Sequence, residues 1–255
     1  MTREASALEF RVVRVEACGS TNDEAKKLAR KGAAEGTAVA AAEQTAGRGT
    51  KGRSWHSARG LGLYASVILR PRSASRLSLL PLAEGLAARE AVEKTTGLVP
   101  GLRWPNDIIL EGKKLGGILS ETEFSGNRVA FAVVGLGLNL GHRPADFPPD
   151  LRDTAVSVRS AGGRIWEGFA AALLGAYLDE LGGWFGDLRD GRPARLVRAF
   201  EFHSVLKPGD VVEVDFEAGR RQGRYLGLAL DGTIRVALAE GERRLASADI
   251  VRLIS

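Results

Sequence analysis

Residues 47–53 hold three glycines (Gly47, Gly49, Gly52) and three cations (Arg48, Lys51, Arg53), and Trp55 follows two residues later. Glycines let a backbone approach a ligand closely. An arginine presents a planar fork that matches a carboxylate or a phosphate, and an indole adds a flat apolar face with one N–H donor. Together they suit an anion gripped by backbone and charge. The segment also matches G-x-G-x-x-G, but a dinucleotide loop must follow a strand and open a helix whose N-terminus faces the pyrophosphate. Here Arg53-Ser54-Trp55-His56-Ser57-Ala58-Arg59-Gly60 reads as loop and then strand, and the cations sit inside the turn. No G-x-x-x-x-G-K-[ST] segment occurs, so a nucleotide would not be gripped at its β- and γ-phosphates by that device. Chemistry at an α-phosphate remains compatible.

Three further segments carry polar groups at close spacing: Ser20-Thr21-Asn22, Arg103-Trp104-Pro105-Asn106-Asp107, and Lys113-Lys114-Leu115-Gly116-Gly117-Ile118-Leu119. Lys113 and Lys114 are neighbours on a strand, so their side chains point to opposite faces and only one can enter a site. Ser20 and Thr21 also read as helix caps, worth ~1 kcal/mol. In this order, with Glu43-Gln44-Thr45-Ala46-Gly47-Arg48-Gly49 between the first two and Gly135-Leu136-Gly137-Leu138-Asn139 after the last, the segments resemble those of the biotin–protein ligases. The resemblance spans nearly the whole chain. Its most specific part is the pairing of residues 43–49 with residues 104–119.

That resemblance implies an α+β fold. A mixed sheet flanked by helices, like that of class II aminoacyl-tRNA synthetases, would occupy residues 1–206, and a C-terminal SH3-like small β-barrel residues 207–255. It implies a ligase that uses ATP and Mg²⁺ to convert biotin to biotinyl-5′-AMP, releasing pyrophosphate. Biotin then passes to one lysine of a biotin carboxyl carrier protein, releasing AMP. Mg²⁺ would arrive with ATP and take most of its ligands from phosphate and water; no protein metal site is expected. Ser20, Thr21, Asn22, Gln44, Gly47, Arg48, Lys114 and Gly117 are the implied biotin contacts, with Gln44 giving the ureido ring both a donor and an acceptor. Arg48, Gly49, Arg53, Trp55, Asn106 and Asn139 are implied to lie with ATP or the adenylate; Trp55 reads equally as core packing. Arg48 and Lys114 would neutralise charge where the carboxylate meets the phosphate. Asp107 either begins a turn or takes the proton of the incoming amine. Ordering of the glycine loop would keep water from the mixed anhydride. Some members of the family add an N-terminal DNA-binding domain; Ser20 lies too near the start for one, so neither a repressor function nor a nucleic-acid partner is expected. A homodimer stays open.

The elements that must position these residues follow from pattern. Residues 10–17 alternate as a strand, and the next segment reads as a helix with Thr21 and Glu24 at capping-box spacing and Gly32 as its stop. Residues 37–44 and 61–70 read as strands on either side of the glycine loop. Ser78 reads as the cap of a helix with Pro81 in its first turn and Gly97 as its end. Residues 102–124 read as two strands around a turn at Glu111-Gly112, and residues 127–140 as another strand. Helices are expected near residues 166–181 and after Pro193. From Lys207 four short strands follow, with Asp231-Gly232 as a two-residue hairpin turn.

Composition narrows the class. The chain has 255 residues, 44% hydrophobic and 26% charged, enough for one large domain and a small appendage. A single cysteine, Cys18, excludes an intrachain disulfide and fits a reducing cytosol. The longest apolar run is about half the ~20 residues a membrane span needs, and residues 1–10 lack a signal-peptide core, so a cytoplasmic protein is expected. Net charge is +5, without a run of five cations, and does not by itself select a nucleic acid. A lipoate ligase or octanoyltransferase shares the chemistry but has no use for Gln44 opposite a ureido ring. A basic nucleic-acid-binding module lacks aromatic stacking pairs here. One position departs from the family pattern: three residues after Gly47, where a cation is common, stands Thr50. Thr50→Arg is therefore expected to slow the escape of biotinyl-AMP in a chase experiment; unchanged escape removes that position from the account.

Overall fold

The alternation of side chains along two neighbouring strands sets the architecture. In residues 62–69, Leu63, Ala65, Val67 and Leu69 join one apolar cluster while Ile68 joins another, and in residues 128–139 Ala132, Val134, Leu136 and Leu138 oppose Phe131 and Val133 in the same way. Both strands are thus buried on two faces, and helices must cover each. The computed structural model describes residues 8–216, 219–246 and 250–253.

In chain order the elements are β1 (Arg11–Cys18), α1 (Thr21–Arg30), β2 (Thr37–Gln44), β3 (Gly62–Leu69), α2 (Leu80–Thr96), β4 (Gly101–Arg103), β5 (Asp107–Leu110), β6 (Lys113–Ser125), β7 (Arg128–Asn139), α3 (Phe169–Arg189) and α4 (Pro193–His203). Five further strands follow: β8 (Val211–Phe216), β9 (Gly219–Leu228), β10 (Ile234–Leu238), β11 (Gly241–Leu245) and β12 (Ile250–Leu253). The first seven strands form one sheet in the order β1-β2-β3-β7-β6-β5-β4, with β1 and β2 parallel and the remaining pairs antiparallel. The last five form an antiparallel, SH3-like sheet in the order β11-β10-β9-β8-β12. The α+β class with a mixed sheet and a small C-terminal β unit agrees with the sequence reading. No helix among the described residues is long and apolar enough to cross a membrane.

The two faces of the large sheet differ in purpose. On one, α2 packs against β4–β7 and α3 packs on α2, burying Leu82, Leu86, Leu173, Tyr177 and Leu181 to 1% exposure or less. On the other, α1 places Ala25 and Ala29 over Val39, Ile68, Phe131 and Val133, and beyond its N-terminus the sheet is left uncovered. The small sheet joins the core cluster of α2 and α3 through Val212, Val214, Tyr225, Ile234 and Val236. Polar ties hold it in place: Trp104 Nε1 donates to Gly232 O (2.9 Å), Ser78 Oγ to Asp231 O (2.6 Å), and Leu228 N to Glu201 Oε1 (2.6 Å).

Several local expectations are corrected. The N-cap of α1 is Ser20, whose side chain makes no capping bond; Thr21 lies inside the helix and bonds Gln44 instead. Ser78 does not cap α2, whose N-cap is Leu79, because its hydroxyl is drawn to the small sheet. Residues 102–124 make three strands and not two, since the chain turns at Trp104-Pro105 before β5 begins. Helix α3 starts at Phe169 and runs to Arg189, past the expected end. Between β9 and β10 the connection spans residues 229–233, longer than a two-residue hairpin, because Asp231 caps Thr233 through its side chain. Strand β11 was not anticipated: its run of charged residues hides the period. Ala248, Asp249 and Ile254 of the last expected strand lie outside the described residues.

One buried acid gives the fold a pH signature. Glu84 of α2 is fully buried and accepts from Tyr177 Oη of α3 (3.1 Å); its second oxygen has no hydrogen-bond partner among the described residues. Burial pushes its pKa up from 4.5 to about 8, against the lowering effect of the tyrosine bond. The folded state therefore holds a proton that the unfolded chain gives up near pH 4.5. Its favourable effect is complete below that pH and is lost as pH rises toward 8, at up to ~1.4 kcal/mol per pH unit. Thermal melts should show wild type losing stability from pH 5 to 8, while Glu84→Gln flattens that slope; an equal slope in both removes Glu84 as its source.

Candidate active site

A cavity of about 460 Å³ lies on the uncovered part of the large sheet, beyond the N-terminus of α1. It exists because β7 offers no side chains there. On β7 the residues facing α1 are Phe131 and Val133 and then, by alternation, Gly135 and Gly137, while Leu136 and Leu138 fill the core behind. The vacated volume is taken by distant segments. A Cβ at Gly135 would run into Asn22 Oδ1, and one at Gly137 would stand 2.5 Å from Trp55 Nε1.

Asn22 is buried and fully engaged: Nδ2 donates to Leu119 O (3.0 Å) and Glu121 Oε2 (2.8 Å), and Oδ1 faces the Ser66 hydroxyl at 2.6 Å. Ser66 Oγ also lies 2.7 Å from Thr21 Oγ1, and its single proton serves one of the two acceptors. Gln44 Oε1 accepts from Thr21 N (2.8 Å) and Thr21 Oγ1 (3.0 Å), while Nε2 donates to Ser57 Oγ (2.9 Å). A chain of polar groups thus runs along one end of the cavity, and Ser20 stands beside it.

The glycine loop closes on itself through Trp55 N→Gly47 O (2.9 Å) and Gly49 N→Arg53 O (2.7 Å). Gly47 is required by contact: a Cβ there would meet Ser57 Oγ and Trp55 O at 2.6 Å. Gly49 meets only ordinary contacts, so nothing in the protein itself demands its small size. Arg48 lines the cavity, with Nη2 donating to Asp23 Oδ1 (2.8 Å) and Glu121 Oε2 (2.9 Å). Arg53 folds back on the loop, to Thr50 O (3.3 Å) and Thr50 Oγ1 (3.2 Å). Lys51 holds the left-handed backbone, φ 59°.

Lys114 reaches the cavity from β6, while Lys113 is exposed, as the strand geometry requires. Its Nζ lies 2.5 Å from Asp107 Oδ1 and 5.6 Å from the Trp55 ring centre. Gly117 leaves room for the lysine stem, since a Cβ there would meet Lys114 Cε at 3.2 Å. Asn106 spends its amide on Ile118 O (2.9 Å), and Asn139 on Val156 O (3.0 Å) and Lys114 O (3.4 Å). Behind the wall, His142 is buried and stacked on Phe147 at 4.6 Å, 5.6 Å from His56. Burial, with His56 adjacent, pushes its pKa down to about 4, so the ring is neutral at pH 7.

All the site residues named from sequence line this one cavity except Gly47, which shapes the loop from behind. Sequence reasoning passed over Asp23, Lys26, Ser57, Ser66 and Glu121. A signal existed for two of them. Ser66 is a polar residue inside an apolar strand, and Glu121 falls on the same face of β6 as Gly117 by a period of two.

Residues 16–139 match the biotin/lipoate A/B protein ligase family. The bifunctional ligase/repressor BirA of Bacillus subtilis is 33% identical over 238 residues, 91% of this chain and 70% of that protein. The chain belongs to this family. A biotin–[acetyl-CoA-carboxylase] ligase of Mycobacterium tuberculosis is 37% identical over 138 residues, 52% of this chain and 50% of that protein. Among solved structures, the biotin protein ligase of Aquifex aeolicus in complex with biotin and ATP superposes with a TM-score of 0.81 at 28% identity, covering 96% of this chain and 99% of that one. The mixed sheet and appended SH3-like sheet are therefore the fold of a biotin ligase.

The packing around the cavity makes a paired prediction. Gly135→Ala must break the Asn22 bonds and should lower stability in urea by about 2–4 kcal/mol. Gly175→Ala, in α3 with open space around it, should raise stability by ~0.5–1 kcal/mol. A neutral Gly135→Ala shows that the Asn22 network is not held rigidly.

Proposed function

We propose that the cavity activates biotin with ATP and passes it to a carrier lysine. The observation that carries this reading is the convergence, in one cavity, of two cations from separate segments, Arg48 and Lys114, with a polar end built from Thr21, Asn22 and Gln44. The Aquifex relative, bound to biotin and ATP, supports it.

The chemistry follows from the charges. A carboxylate and a triphosphate repel one another, and cations fixed between them in a partly dry site lower that repulsion most. One biotin carboxylate oxygen attacks the α-phosphorus, and the bond to the bridging oxygen breaks with loss of pyrophosphate. Arg48 and Lys114 stabilise the charge on the five-coordinate phosphorus. A carrier lysine amine then attacks the acyl carbon, the bond to AMP breaks, and the amine gives up a proton. Asp107 is held near the reacting groups by its ion pair with Lys114. To act as base it must leave the lysine, as Lys114 turns to phosphate. Gln44 and Thr21 supply both hydrogen-bond senses to the ureido ring, exchanging their present bonds to each other.

Mg²⁺ enters as part of the nucleotide substrate. Among the described residues no group of three or more His, Cys, Asp or Glu could hold a metal. Asp153, exposed at the rim, offers one carboxylate, and phosphate and water supply the remaining ligands.

Incubating the protein with ATP, Mg²⁺, biotin and a purified carrier domain should add one biotin mass to the carrier. Arg48→Ala and Lys114→Ala should each lower biotin-dependent exchange of pyrophosphate into ATP by about 10²–10³-fold. Asp107→Asn should slow the transfer step more than the exchange. A wild-type protein that neither exchanges pyrophosphate nor modifies the carrier defeats the reading.

A further inference from the structure

The cation that reaches the cavity from the glycine loop does not stand free, and the groups that hold it were not chosen by the motif. Arg48 Nη2 is shared between two carboxylates, Asp23 of α1 and Glu121 of β6. Lys26, one turn along α1 from Asp23, bonds both acids as well, at 3.0 Å to Asp23 Oδ1 and 2.8 Å to Glu121 Oε1. Two cations and two anions close a ring of charge at the mouth of the site. Glu121 has one more partner: Oε2 accepts from Asn22 Nδ2 at 2.8 Å, the same amide that bonds Leu119 O on the sheet. One carboxylate oxygen therefore bonds both a residue of the polar end of the cavity and the tip of the loop.

The geometry of the guanidinium gives this ring a purpose. Arginine carries five donors in a rigid plane. The two acids occupy one terminal nitrogen, and Nε and Nη1 make no hydrogen bond among the described residues. A lysine here would turn freely about its stem, but a rigid plane held at one terminal nitrogen presents its remaining donors in fixed directions. Burial works against the Glu121 carboxylate, and the bonds from Lys26 and Asn22 with the charges of Lys26 and Arg48 outweigh it, so the carboxyl stays below its ordinary range and is anionic at neutral pH.

We infer that Glu121 is a positioning residue for Arg48: its carboxylate, bonded to Asn22, Lys26 and Arg48 together, pins the glycine loop to the cavity wall and leaves the Nε and Nη1 donors of the guanidinium for the substrate anion. The identity of that anion as biotin carboxylate and nucleotide phosphate rests on the ligase reading; the pinning of the loop does not. Asp23 serves as the second anchor and Lys26 neutralises the two acids so that they can lie side by side.

Trypsin reads the loop directly, because Arg48, Lys51 and Arg53 are cleavage points within six residues. Without ligand, Glu121→Gln should be cut within residues 48–53 about threefold to tenfold faster than wild type, at an unchanged rate after Lys113, an exposed control. Asp23→Asn, a change at a surface position, should show a smaller acceleration and covers the case in which Glu121→Gln does not fold. Biotin should protect wild type, and in pyrophosphate exchange Glu121→Gln should raise the KM for biotin more than it lowers kcat. Loops cut at the wild-type rate in the folded variants overturn the proposal. A wild type that biotin does not protect and that exchanges no pyrophosphate instead overturns the ligase reading, while the ligand-free comparison still decides the role of Glu121.

Discussion

The site depends on the alternation of side chains across β3 and β7. The same strands face α2 and α3 with one set of residues and face α1 and the cavity with the other. Leu136 and Leu138 fill the core while Gly135 and Gly137, one residue away, leave the opposite face bare. A slip of one residue would send the leucines into the cavity and the glycines into the core. The pairing of β7 with β3 along residues 132–139 and with β6 along residues 131–138 fixes that register. Because glycines give up the volume, residues far away in sequence, Asn22 and Trp55, become the walls. A cavity made in this way is floored by backbone and walled by side chains that are themselves packed, which suits a site that must hold its geometry before the ligand arrives.

The second constraint is charge. Cations gathered to meet anions repel one another while the site is empty, and the two that converge from separate segments are neutralised locally: Lys114 by Asp107, Arg48 by Asp23 and Glu121. These pairs are partly exposed, and pairs of that kind contribute ~0–1 kcal/mol to stability. Their contribution is to direction. They hold two long side chains, which would otherwise sample many rotamers, in orientations that face a common space. An incoming anion then competes for cations already in place, and part of the ordering entropy has been spent during folding.

How much of this was legible in the sequence differs by scale. The strands and helices followed from period and from glycine and proline punctuation, and the glycine loop was separated from a dinucleotide turn because no helix follows it. The polar segments were recognised as belonging together by resemblance, and the fold brings them to one cavity. What stayed hidden was tertiary. Thr21 looked like a helix cap, and only the position of Gln44 across β2 shows why its hydroxyl is used elsewhere. Ser78 looked like a cap for the same reason and is claimed by the small sheet. The Gly135-Leu136-Gly137-Leu138 alternation was noticed as a motif, yet its meaning required knowing that one face of β7 carries the core. Glu121 was passed over because an acid on a strand that also carries Glu123 is ordinarily a solvated charge, and its place on the Gly117 face gains meaning only from α1 and the glycine loop, which supply its partners.

The segment Arg103-Trp104-Pro105-Asn106-Asp107 shows how one short stretch can serve two sites. Its first half faces the small sheet: the Trp104 indole is buried and donates to Gly232 O in the turn between β9 and β10. Its second half faces the cavity: Asn106 bonds β6 in both directions, through its own carbonyl and its amide, and Asp107 holds Lys114. Two residues, Pro105 and Asn106, therefore separate the group that docks the C-terminal sheet from the group that places the lysine. Gly232 sits against Leu79 and Leu82, with φ 82°, a conformation that favours glycine, and Ser78 closes the contact from the segment before α2. The small sheet is thus fastened at the point where β4 turns into β5, and not along a broad flexible linker. Any displacement of that sheet acts on the turn at Trp104-Pro105, whose other end carries Asn106 and Asp107.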